Sequence, residues 1–137
     1  MIVVVIIGLL AAIAIPAFSR VRESARHTAF INDLRIGRDA FEAYSLENGR
    51  WPPDGIGAIP PEMASVLTPS RWSQPTPIGG NWDWDFQRYG VEAGLSVHRP
   101  TASPAEMAMI DARIDDGDLT TGVFRQRTDG YIFVLQP

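Results

Sequence analysis

Met1–Phe18, MIVVVIIGLLAAIAIPAF, contains no charged or strongly polar side chain, and the first charge in the chain is Arg20. As a helix rising 1.5 Å per residue this stretch covers roughly 27 Å, just short of the ~30 Å hydrocarbon core of a bilayer. Basic residues precede the apolar core of a secretory signal peptide, whereas Arg20, Arg22 and Arg26 follow this one. Ala11, Ala12, Ala14 and Ala17 could imitate a cleavage site, and a buried helix of a soluble protein is a second alternative. The order of charges favours a helix that stays in the membrane.

Beyond Ser19 the helical pattern continues as RVRESARHTAFINDLRIGRDAFEAYSLENGR, with no proline and only Gly37 before Gly49. Phe30, Leu34, Gly37, Phe41 and Tyr44 recur every three to four residues and form a narrow apolar stripe. Arg35, Arg38, Asp39 and Glu42 fall mostly off that stripe, and Arg38 and Glu42 are an opposite-charge pair at i,i+4. Gly49 suits a helix C-terminus and Pro52–Pro53 blocks continuation. The expectation is one long helix. Residues 1–19 are its membrane half and residues 20–49 its amphipathic half, docking Phe30, Leu34, Phe41 and Tyr44 on the protein's own head. Gly8 and Pro16 are expected to soften or kink it.

The remaining composition excludes several classes. All 12 basic residues are arginine against 16 acidic residues, giving a formal net charge of -4. A mildly acidic chain with no basic block is a poor nucleic-acid binder, and no nucleic-acid partner is expected. There is no cysteine, hence no disulfide, thiolate metal site or cysteine nucleophile. His27 and His98 lie far apart in sequence, so no transition-metal cluster is expected. With no lysine there is no phosphate-binding loop, and no serine sits in G-x-S-x-G. No catalytic residue is assigned, and the chain reads as a non-enzyme.

Residues 50–137 read as a head. WPPDGIGAIPPEMASVLTPSRWSQPTPIGGN is a proline-rich loop with one helical turn at Pro61–Leu67, anchored through Ile56, Ile59, Met63, Val66 and Leu67. Trp82, Trp84 and Phe86 alternate with Asp83 and Asp85, a period-two strand. The aspartates read as its solvated side rather than as a catalytic pair. Gly90 or Gly94 would turn the chain into a second strand over Leu95–His98. Ser103-Pro104-Ala105-Glu106 has the signature of a capped helix start, with Met107, Ile110 and Ile114 on the apolar face and Gly117 as the stop. Gly122–Gln136 reads as a hairpin turning at Asp129–Gly130. The fold class is therefore α+β: a long N-terminal helix, transmembrane then amphipathic, packed against a small antiparallel sheet with one minor helix.

Val4 to Pro16, VVIIGLLAAIAIP, strongly resembles the N-terminal segment of type IV pilins and type II secretion pseudopilins. Glu47-Asn48-Gly49-Arg50-Trp51-Pro52-Pro53-Asp54 also resembles the family's exit from the long helix. The resemblance implies a structural subunit of a pilus-like filament, most closely a secretion pseudopilin, in which Val5, Gly8, Leu9, Ile13, Pro16 and Phe18 pack with neighbouring subunits. It implies a bacterial inner-membrane protein with a single pass and a periplasmic head. The implied partners are copies of itself, other pilin-like subunits and a prepilin peptidase. The family's leader, cleavage glycine, methylated phenylalanine and membrane-embedded glutamate would lie upstream of Met1, so a native start upstream is expected. The alternative is a variant or decayed gene that could not be processed normally.

Two further expectations concern the head. Asp115, Asp116 and Asp118 surround Gly117, and such a loop either binds calcium or is an ordinary acidic turn at a helix end. The resemblance to major pseudopilins implies calcium dependence in this region, but the spacing does not match an EF-hand loop, and the acidic turn is the expectation. Trp51, Trp72, Trp82 and Trp84 either anchor core and loops or supply a membrane-tethered binding module that recognises a protein or glycan.

Overall fold

A computed structural model describes all residues, Met1–Pro137. Helix α1 runs unbroken over Ile2–Asn48, passing through Pro16 and ending at Gly49, whose φ of 66° is the left-handed stop that glycine takes without strain. A 3-10 turn at Pro61–Ser65 and a short helix α2 at Pro69–Trp72 follow. Strands β1 (Asn81–Arg88) and β2 (Val91–His98) precede helix α3 (Pro104–Ile114). Strands β3 (Phe124–Arg127) and β4 (Gly130–Gln136) complete the chain. The sheet order is β1-β2-β4-β3, with every neighbouring pair antiparallel.

The apolar stripe on α1 meets one face of this sheet. Phe30 stacks on Trp82 with ring centroids 5.2 Å apart, and Phe41 stacks on Trp84 at 3.8 Å. Phe30, Leu34, Gly37 and Phe41 are buried, while Tyr44 is half-buried at the core's edge. A β-carbon at Gly37 would lie 2.5 Å from both Leu95 and Trp72, so glycine lets the helix approach the sheet. Met63, Met107, Ile110 and Phe124 belong to the same core. In α3 the Ser103 side chain accepts from the Glu106 backbone while Glu106 accepts from the Ser103 backbone, a complete capping box.

The proline-rich segment differs from its expected anchoring. Met63 and Leu67 are buried and Ile59 is partly so, but Ile56 and Val66 are exposed. Ile56 sits at a tip with φ 50°, while the backbone around it pairs with β1: Gly55 donates to Trp84 O and Trp84 donates to Ala58 O. The segment thus covers the open edge of the sheet, which would otherwise present unpaired backbone groups. Tyr89 and Gly90 form the first hairpin turn, and Gly94 stays within β2. Thr128 and Asp129 form the second turn, Gly130 being the first residue of β4.

Asp83 and Asp85 are not the solvated side of β1; both are buried. The Arg127 guanidinium reaches across the sheet's other face, 2.6 Å from Asp83 and 3.2 Å from Asp85. Ser96 donates to Asp85 and accepts from Arg127 Nε, and Tyr89 stacks over the guanidinium at 4.6 Å. A strand with two buried faces replaces the expected half-solvated one because an arginine from β3 supplies the missing counter-charge. Burial pushes the Asp85 carboxyl above its usual range, with Asp83 adding to the shift while Ser96 and Arg127 oppose it.

Candidate functional site

The most conspicuous surface is the first half of α1. Large apolar residues from Met1 to Phe18, including Val5, Leu9, Ile13 and Phe18, are exposed, and no residue before Glu23 is even half-buried. This portion stands clear of the head as a rod, with Gly8 and Pro16 on its surface. Transfer of each such side chain from water to an apolar environment is worth roughly 1.5–3 kcal/mol, and on this rod that apolar surface stays uncovered by the head. By length and composition α1 can cross a membrane. All its polar attachment to the head lies beyond that rod.

The attachment forms a collar where α1 meets α3. Arg26 donates to Glu106 at 3.0 Å, and Arg113 reaches back to Thr28 and Ser24. His27 is 97% removed from solvent, since 3% of its surface remains exposed, and its Nε2 has no hydrogen-bond partner. The capping hydrogen bond from Ser103 and the nearby Arg26 hold the Glu106 carboxyl below its usual range. Farther along α1, Asp33 pairs with Arg71 of α2. Arg38 contacts both Asp39 at 2.7 Å and Glu42 at 4.0 Å.

At the far end of α3, the expected acidic triad divides. Asp118 turns to the Thr120 backbone and hydroxyl. Asp116 accepts from the Asp118 backbone and the Thr121 hydroxyl, and Asp115 accepts from the Val123 and Phe124 backbones. These hydrogen bonds, led by those of the threonine hydroxyls, hold Asp116 and Asp118 below their ordinary values. The group that converges is Asp111, Asp115 and Asp116, with one oxygen from each within 4.8 Å of the others. Asp111 is fully buried with both carboxylate oxygens unpartnered, and its pKa is pushed up to about 6 by desolvation and by Asp115 and Asp116. Position within the α3 turn preceding Asp115 is the signal that could have found it.

The tryptophans are placed mostly inside. Trp72, Trp82 and Trp84 are buried and Trp51 is half-buried, its Nε1 donating to Gln136 at 2.6 Å. Their packing removes the exposed aromatic surface on which a recognition role would draw. A cleft of about 430 Å³ lies beneath the proline-rich segment, between Ile59, Met63, Leu67 and Trp72.

No family model, curated protein or solved structure matches this chain. Architecture therefore carries the comparison. A long apolar N-terminal helix packed on a small antiparallel sheet is consistent with a generic pilin-like architecture.

Proposed function

We propose that this chain is the structural subunit of a pilus-like filament, most closely a type II secretion pseudopilin, anchored in the bacterial inner membrane before assembly. The observation that carries the reading is the division of α1: residues beyond His27 bury a stripe against the head, while the apolar residues before Ser19 stay uncovered. Moving such a rod from lipid tails into a bundle of identical rods exchanges one apolar environment for another, so assembly needs little net desolvation. Gly8 admits close helix approach, and Pro16 omits one backbone hydrogen bond and eases local unwinding. In this reading the chain has no catalytic role. Energy for polymerisation and processing of the precursor come from other chains, including a prepilin peptidase.

The absence of cysteine makes the test direct. Single cysteines at Val5, Leu9 or Ile13 in the native precursor, co-expressed with a secretion assembly platform, are expected to give oxidative cross-linked ladders in sheared filaments. Cysteine at Ile56, on an exposed head tip, reports whether cross-linking is confined to the rod. Purely monomeric chains from every apolar-half variant, with the platform active on a known subunit, would sink the proposal.

A further inference from the structure

Glu23 and His27 stand one turn apart on α1, and α3 brings Glu106 against them from 79 residues away in sequence. His27 Nε2 lies 4.0 Å from Glu23 Oε1 and 3.7 Å from Glu106 Oε1. Both separations are too long for a hydrogen bond. They approach the spacing of ligands that share one ion, because two donors about 2.0–2.1 Å from a tetrahedral metal stand roughly 3.4 Å apart. The imidazole is buried yet its Nε2 has no partner, an arrangement that leaves a desolvated ring nitrogen aimed at two carboxylates. Sequence spacing excluded a metal centre by asking for two histidines. One histidine with a carboxylate on each side also provides three ligands.

We propose that Glu23, His27 and Glu106 bind a zinc-class divalent cation. Imidazole selects borderline transition ions over calcium or magnesium, and three protein ligands leave a fourth position for water. Glu106 supplies this ligand without giving up its structural role, because Oε2 accepts from the Ser103 backbone while Oε1 faces His27. Solvent reaches the cluster along a groove lined by Ser19, Arg22, Glu23, Arg26 and Glu106. Arg26 is the built-in competitor: its guanidinium holds Glu106 Oε1 at 3.0 Å and must yield when the ion enters. A bound ion would join α1 to α3 just below the apolar rod and fix the angle at which the rod leaves the head. This proposal does not depend on filament assembly.

Full-length protein in detergent micelles, stripped with chelator, is titrated with Zn²⁺ by calorimetry in a buffer holding millimolar calcium to fill oxygen-only sites. One saturable site per chain is expected, with the His27 ring resonances shifting and those of His98 unmoved. Removing a direct ligand by His27→Ala or Glu23→Gln should weaken binding by at least about 10-fold, the lower end of what even outer-shell changes cost. Glu23 is partly exposed, so its variant keeps the test valid if His27→Ala fails to fold. Arg26→Ala should tighten binding by freeing Glu106, and His98→Ala should leave it unchanged. No saturable binding, binding indifferent to Glu23→Gln, or loss of the site in His98→Ala would overturn the proposal.

Discussion

Arg127 is the residue whose loss the head would feel most. Its guanidinium lies between Asp83 and Asp85 with almost no exposure, so Arg127→Met strands two buried carboxylates. Breaking a buried pair on one side costs about 3–5 kcal/mol, and urea unfolding at pH 7 should show a loss of that order. The Asp85 carboxyl is already raised, so its favourable contribution is present below the unfolded aspartate pKa and declines as pH rises through the folded value. The variant should therefore suffer less at acid pH, where protonation relieves Asp85, than at pH 7. Asp111 tests the implied calcium dependence at the same scale. Calcium should raise the Tm of the parent protein by neutralising a buried, unpartnered carboxylate, whereas Asp111→Asn should raise Tm without calcium and abolish the response. A parent Tm indifferent to calcium would remove calcium from the account. Neither role was legible from sequence: Asp83 and Arg127 are 44 residues apart and sit on strands β1 and β3, which two other strands separate. Period-two alternation states that the aspartates share a face, and only sheet order states what lies on it.

Elements built from local chemistry were legible. The capping serine, the proline after it and the glutamate at the third position mark α3's start, and the structure forms all of these contacts. Ser103→Ala removes one half of the box and should cost about 1 kcal/mol, read as a lower urea midpoint with an unchanged slope. The stripe on α1 and the glycine that ends it were likewise local, because 3.6-residue periodicity and a left-handed stop need no tertiary information. Helix α2 escaped notice because four residues carry no period; its reason is tertiary, with Trp72 packed against Trp82 and Arg71 paired with Asp33. The exposed Ile56 was misjudged for a related reason. Hydrophobicity alone does not distinguish a loop anchor from a loop tip when the anchoring is done by backbone hydrogen bonds to an edge strand. The collar shows the same limit, since the i,i+4 relation of Glu23 and His27 is visible but the approach of Glu106 is not.

At the scale of the whole molecule, one half of α1 docks a buried stripe on the head while the other stands uncovered, and deletion can separate them. Residues 1–22 are exposed throughout, so removing them strips no buried side chain from the core. The shortened protein should remain folded in detergent-free buffer, with its near-UV aromatic dichroism retained by the Phe30–Trp82 and Phe41–Trp84 stacks. It should no longer partition into vesicles or detergent micelles. Deletion through residue 48 is a different experiment, since it removes Phe30, Leu34 and Phe41 and uncovers the aromatic face of the sheet. Truncating each of these three to alanine would cost about 2–5 kcal/mol, so their loss together is of the same order as the roughly 5–15 kcal/mol of a small domain's whole stability. That longer deletion should leave an unfolded or aggregating chain. A head that stayed folded without residues 1–48 would show that α1 is an appendage rather than half of the core, whereas collapse after removal of residues 1–22 alone would mean that the exposed rod supports the head. The expected pair of outcomes, survival of the first cut and failure of the second, assigns the amphipathic half of α1 to folding and leaves the apolar half free for the proposed assembly.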